Sequence, residues 1–167
     1  MKRVLVIGCP GAGKSTFARK LRDLTGLPLY YLDMIWHRPD GTNVSREYFD
    51  NKLTNIIEAD SWIIDGNYLR TLGLRIKACD TVFFLDYPLE LCMESIKGRI
   101  GKPREDMPWI ETGYDEEFNQ EVLNFPSEQL PKIYENLSHQ SDKDVHIFRS
   151  REEADKYLEK LKNTAEY

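Results

Sequence analysis

Two hydrophobic rhythms alternate along the chain. The continuous apolar run Val4-Leu5-Val6-Ile7 reads as a strand buried on both faces, and Trp62-Ile63-Ile64, Thr81–Leu85 and Val145–Phe148 read as further strands. The first spans Met1–Ile7 and is bounded by Gly8; a shorter run, Leu29–Leu32, ends at Asp33. Between the runs, apolar residues recur at helical spacing. Lys14–Thr25 places Phe17, Ala18, Leu21 and Leu24 on one face, with Gly26 to close the helix and Pro28 to stop its return. Ser45 can cap a helix to about Ala59 whose inner face is Phe49, Leu53, Ile56 and Ile57. Pro88 can open a helix over Leu89–Ile100, and Ser150-Arg151-Glu152-Glu153 is a capping-box pattern for a last helix to about Leu161. Five strands separated by helices predict an α/β fold: a five-stranded parallel sheet with right-handed crossovers and helices on both faces. Such sheets bind ligands beyond the carboxyl ends of their strands. Three strands here end in aspartate, at Asp33, Asp65 and Asp86.

Length and charge narrow the class. The 167 residues fit one domain, with a net charge of -5 that argues against a broad nucleic-acid-binding surface. Residues 1–83 carry a net +3 and residues 84–167 a net -8. Within the acidic half, Lys97, Arg99, Lys102 and Arg104 form a short basic segment, which suits a small anion better than a long polyanion. The three cysteines, Cys9, Cys79 and Cys92, have no CxxC spacing, and the three histidines do not cluster. No apolar run approaches the length of a membrane span, and the run after Lys2-Arg3 is too short for a signal peptide. The expectation is a cytoplasmic chain in a reducing compartment, a monomer or weak dimer.

Gly8-Cys9-Pro10-Gly11-Ala12-Gly13-Lys14-Ser15 matches GxxxxGK[ST] and lies between a predicted strand and a predicted helix. The chemistry needs that order. Glycines let the backbone turn and approach a phosphate closely. Successive N–H groups then converge at a helix N-terminus, where an anion is favoured. Lys14 reaches the β- and γ-phosphates and the Ser15 hydroxyl serves Mg²⁺. The ligands expected are therefore a nucleoside triphosphate and Mg²⁺, bound through Gly8, Pro10, Gly11, Ala12, Gly13, Lys14, Ser15 and Thr16, with ATP favoured over GTP only by the family resemblance that follows. With no NKxD motif and a chain this short, a small kinase fits better than a GTPase or a larger ATP-driven machine.

The pattern resembles the adenylate-kinase-like group of P-loop kinases, which includes shikimate, gluconate and nucleoside monophosphate kinases. It is most similar to the topology-modulation (FlaR-like) proteins, over Gly8–Thr16, Tyr31-Leu32-Asp33 with Trp36, Ser61–Tyr68 and Thr81–Pro88. The resemblance implies a three-layer αβα P-loop NTPase fold with a short helical lid, spanning 1–167, an acceptor-binding insertion at about 33–60 and a lid at about 97–125. It implies Asp65 as the magnesium aspartate, with Asp86 as rival. Asp33 takes a substrate or magnesium role and is the better base, with His37 the alternative. Gly66, Asn67 and Arg70 face the acceptor, and Arg70 resembles the arginine that grips an acceptor phosphate. Arg99 and Arg104 fall where lid arginines act, and Arg149 near the adenine base. Trp36-His37-Arg38-Pro39 replaces the usual adenylate-kinase acceptor motif, which places AMP in question; Trp36 either stacks on a ring or packs, and Arg38 joins the acceptor contacts. The basic segment reads either as a solvated helix end or as a lid hinged at Gly98, Gly101 and Pro103.

Three functions compete on these residues. The leading one is an ATP·Mg-dependent phosphotransferase acting on a small acceptor. The second is an ATP-binding regulatory protein that affects DNA topology or a protein partner. The third is a plain nucleoside triphosphatase.

Overall fold

Val4, Leu5, Val6 and Ile7 are completely buried, and they form the middle of β1 (Arg3–Gly8). A strand apolar on both faces is stable only when both faces are covered, each such side chain contributing about 1.5–3 kcal/mol on burial. The computed structural model, which describes residues 1–113 and 115–165, supplies that cover. Tyr114, inside the expected lid, and residues 166–167 of the expected domain lie outside the described residues. The elements after β1 are α1 (Lys14–Thr25), β2 (Leu29–Tyr31), α2 (Leu32–Trp36), α3 (Arg46–Ile57), β3 (Trp62–Asp65) and α4 (Leu69–Ala78). Then follow β4 (Thr81–Leu85), α5 (Leu89–Arg99), α6 (Glu116–Glu128), α7 (Leu130–Ser138), β5 (Asp144–Phe148) and α8 (Arg151–Ala165). The sheet is wholly parallel, in the order β2-β3-β1-β4-β5. Helix α1 packs on β1, β2, β3 and α8, while α4 packs on β1 and α7, giving the three-layer α/β arrangement.

Local chemistry explains most element ends. Ser45 accepts from Tyr48 N at 3.1 Å and caps α3, and Gly26 closes α1 in the left-handed conformation. Before α8, Ser150 Oγ accepts from Glu153 N at 3.2 Å. Glu153 reaches back to Arg149 N at 2.7 Å, one residue short of the usual capping-box partner. Asp80 accepts from the N–H groups of Lys2 and Arg3 and fixes the start of β1 beside β4.

Three helices go beyond the apolar pattern. Helix α4 buries Thr71 and Arg75 beside Leu72 and Ile76, so its inner face does not read as a hydrophobic stripe. Helix α6 buries only Val122 and Phe125 and contains Pro126, while α7 has Pro131 in its first turn and buries Ile133 and Leu137. One boundary also differs: β2 stops at Tyr31, so Asp33 lies in the first turn of α2 rather than at a strand end.

The strand ends Gly8, Asp65 and Leu85 meet at one edge of the sheet, and the Gly8–Ser15 loop is seated there against α5. Gly11 has φ +82°, and a Cβ on it would fall on the Cys92 carbonyl of α5. Gly11→Ala should therefore cost about 1–3 kcal/mol by strain and overpacking, a drop of several degrees in the thermal midpoint. Gly98→Ala, on the same helix but facing open space, should leave the midpoint unchanged or raise it.

Candidate active site

The loop after β1 turns back with Ala12 N donating to Cys9 O at 3.0 Å, and Gly13, at φ 91°, leads into α1. No side chain caps α1, so the N–H groups of its first turn stay available to an anion. Lys14 Nζ lies over the loop, donating to Gly8 O at 3.0 Å and Cys9 O at 3.2 Å. Ser15 Oγ donates to Asp65 Oδ2 at 2.6 Å.

Asn67 fastens this loop from outside. Its Nδ2 donates to Gly8 O at 2.5 Å and its Oδ1 accepts from Gly8 N at 2.9 Å. Asn67 is itself held by Arg75, a fully buried arginine of α4. The guanidinium donates to Gly66 O at 2.8 Å, to Tyr68 O at 3.0 Å and to Asn67 O, with Nε to Thr71 Oγ1 at 3.2 Å. Burial lowers its pKa to about 9, still cationic at neutral pH. Tyr68 has φ 38°, a strained value for a side-chain-bearing residue, and the Arg75 bonds hold it there.

Carboxylates converge on Ser15. Asp65 is 5% exposed, and its Oδ1 has no partner among the described residues. Burial raises its carboxyl to about 6; Lys14 and Ser15 pull it down, while Asp33 and Asp106 push it further up. Asp106 is also buried, which opposes its ionisation, but the Arg104 guanidinium outweighs burial and holds it below the usual carboxylate range. Arg104 binds Asp106 at 2.5 Å and Glu111 at 3.2 Å, and Arg99 binds Glu111 at 3.0 Å. Asp33 accepts from Tyr68 OH at 2.6 Å and lies 3.9 Å from His37 Nε2. Burial, then Asp33 itself, raises the Tyr68 phenol, so it stays a donor. Trp36 meets Phe49 edge-on at 5.7 Å.

These groups line one cleft of about 1570 Å³. It brings together Pro10, Gly11, Gly13, Lys14, Ser15, Thr16, Asp33, Trp36, His37, Asp65, Gly66, Asn67, Arg99 and Arg104. Gly8 and Ala12 lie behind the loop surface. Arg38, Arg70, Asp86 and Arg149 do not line the cleft. Arg38 sits in a turn, its N–H bonded to Thr42 O at 2.8 Å. Arg70 pairs with Asp50 of α3 at 2.7 Å. Asp86 accepts from Tyr134 OH and pairs with Arg149 at 3.0 Å. Of the two rival aspartates, Ser15 therefore bonds Asp65, and Asp86 is engaged elsewhere.

Sequence reasoning alone does not pick out Arg75, Asp106 or Glu111. Arg75 carries one signal, a cation within the buried face of a helix. Asp106 and Glu111 carry none, because their importance comes from folding the 100–113 segment back over the cleft.

The donor set fits magnesium. Asp65 and Ser15 offer hard oxygens, and the buried, unpartnered Asp65 Oδ1 is the atom a cation would satisfy. Among the described residues no three His, Cys, Asp or Glu side chains form a self-sufficient metal site, as suits an ion that takes most of its ligands from water and phosphate.

No family model matches the sequence, and no curated protein does either. Solved structures do match in fold. A shikimate kinase from Bacteroides thetaiotaomicron has 16% identity and a TM-score of 0.60, covering 99% of both chains. The shikimate kinase from Acinetobacter baumannii in complex with shikimate has 17% identity and a TM-score of 0.63, over 98% of this chain and 94% of that one. A sugar kinase from Janibacter sp. has 18% identity and a TM-score of 0.53, over 99% and 92%. The likeness is one of fold. Nor is any helix among the described residues long and apolar enough to cross a membrane.

The raised Asp65 carboxyl makes a pH prediction. Its folded value of about 6 lies above the ordinary 3.8, so a stability penalty absent below about 4 grows as pH rises from 4 to 6 and is complete above 6. Without nucleotide or magnesium, Asp65→Asn should therefore gain up to about 3 kcal/mol of stability at pH 8 and nothing at pH 3.5. Denaturant unfolding at the two pH values checks this; equal effects at both would contradict it.

Proposed function

We propose that this chain is a phosphotransferase that moves the γ-phosphoryl group of ATP, with Mg²⁺, to a small hydroxyl-bearing acceptor. The observation that carries the reading is the Gly8–Ser15 loop at the start of α1, whose Ser15 is bonded to a buried carboxylate with a free oxygen. A loop that only joined a strand to a helix would need neither Lys14 over its carbonyls nor Asp65 beneath its serine.

The residues divide the work. The loop N–H groups and α1 N-terminus receive the β-phosphate, and Lys14 exchanges the Gly8 and Cys9 carbonyls for phosphate oxygens. Ser15 and Asp65 would hold magnesium, which when bound neutralises charge on the phosphates. Arg99 and Arg104 stand on the 97–115 segment, the proposed lid, close enough to turn from Glu111 toward the transferring group. Asp33, oriented by Tyr68, receives the proton of the acceptor hydroxyl as its oxygen bonds to phosphorus and ADP leaves. Trp36 and His37 border the acceptor. The Ser61–Tyr68 stretch that suggests the topology-modulation group supplies Asp65, Asn67 and Tyr68 to this site, so its chemistry serves phosphate transfer.

Lys14→Ala should remove measurable ATP binding by titration calorimetry, and wild-type affinity in that variant would contradict the reading. Replacing Arg99 and Arg104 together with alanine should lower acceptor-stimulated ADP release by about 10³-fold or more, while leaving ATP binding detectable. Unchanged turnover in the double variant would assign the two arginines to the surface alone.

A further inference from the structure

The acceptor side of the cleft has an uneven charge. Between residues 33 and 70 the chain contains four fixed cations, Arg38, Arg46, Lys52 and Arg70. None of them lines the cleft. Arg70, the one suited to grip an acceptor phosphate, is turned outward by a two-point pair with Asp50, at 2.7 and 3.1 Å. The wall is formed instead by Asp33, Trp36, His37, Asn43 and Tyr68. Opposite, Arg99 faces Glu111 and Arg104 faces Asp106 and Glu111, with Arg104 Nη1 left without a hydrogen-bond partner among the described residues and so open to the transferring phosphoryl group. Besides Lys14, the other cations along the cleft are Arg19, Lys97, Lys132 and Arg151.

An acceptor bearing phosphate or carboxylate on this wall would bring a further negative charge beside Asp33, Asp65 and Asp106, and none of the residues named for the wall is a fixed cation. Like charges brought together in a partly desolvated site weaken binding steeply. An alcohol meets none of this. Asp33 accepts a hydroxyl proton, and the Asn43 amide offers both a donor and an acceptor. Trp36 and the His37–Trp109 pair, its rings 4.9 Å apart, offer apolar surface to a ring.

We infer that the acceptor is a ring-bearing alcohol without phosphate or carboxylate, its reacting hydroxyl set against Asp33. This rests on the phosphotransferase reading and narrows its substrate. The transfer balances within the site: the acceptor oxygen forms the new P–O bond, its proton passes to the Asp33 carboxylate, and the bond to the departing ADP breaks.

Matched acceptors that differ only in charge test it. Shikimate would be set against its methyl ester, and glucuronate against its methyl ester, so that every ring hydroxyl is kept, with nucleosides as further uncharged alcohols, each with Mg·ATP, the phosphorylated product being followed by phosphorus NMR. In at least one pair the uncharged member should be phosphorylated with a kcat/KM about 10-fold or more above its anionic partner. Asp33→Asn should narrow that ratio, since it removes the repelling charge. An anionic member that is turned over as well as or better than its uncharged partner overturns the inference, and so does failure of every uncharged alcohol. Titration of Mg·ATP in the same samples separates this failure from a deeper one. Intact nucleotide binding without turnover of alcohols removes the acceptor class alone, whereas absent nucleotide binding removes the phosphotransferase reading beneath it.

Discussion

A buried guanidinium must find acceptors for its donors, and Arg75 makes four bonds, three to carbonyls of the backbone that crosses from β3 to α4 and one to Thr71 Oγ1. Everything at the site hangs from that crossing. The carbonyls of Gly66, Asn67 and Tyr68 are drawn to one cation, which fixes the direction of each side chain. Asn67 then clamps Gly8 with a donor and an acceptor at once, Tyr68 orients Asp33, and Asp65 precedes both at the strand end. One arginine thus sets the Gly8–Ser15 loop, Asp33 and Asp65 relative to one another. A loop rich in glycine would otherwise lose this geometry to conformational entropy.

The second constraint is electrostatic. Asp65 and Asp106 flank Ser15 and Asp33 shares their cleft, and the positive groups acting on them are Lys14, Arg99 and Arg104. Burial of the Asp65 carboxylate is the larger cost and raises its pKa, and the neighbouring Asp33 and Asp106 push it further up. That density of carboxylates suits a site that gathers a divalent cation and a triphosphate, because their charges cancel against these groups. It also suits a transfer that relies on positioning and charge neutralisation more than on covalent chemistry.

Much of this is legible in the residues. Strands β1, β3 and β4, buried on both faces, announce themselves as apolar runs; the outer strands β2 and β5 are present but only partly buried, with Ile147 exposed, and all five run parallel. The phosphate loop is legible because glycine spacing, lysine and serine leave few other purposes. What hides is what depends on partners distant in sequence. Helix α4 conceals its inner face because Arg75 and Thr71 are polar, and the polarity makes sense only once the carbonyls of 66–68 are known to converge on it. Arg70 reads as an acceptor ligand by its place after Gly66, yet Asp50, twenty residues earlier, turns it away. Asp33 reads as a strand end because Leu32 is apolar, whereas Leu32 is the first buried residue of α2.

The most direct test is a crystal structure of the protein with a non-hydrolysable ATP analogue and Mg²⁺. The account predicts the β-phosphate within the Gly8–Ser15 loop, Lys14 Nζ moved from the Gly8 and Cys9 carbonyls onto phosphate oxygens, and the Asn67 clamp on Gly8 intact. Nucleotide bound elsewhere, or Lys14 still on those carbonyls with the analogue present, would contradict it.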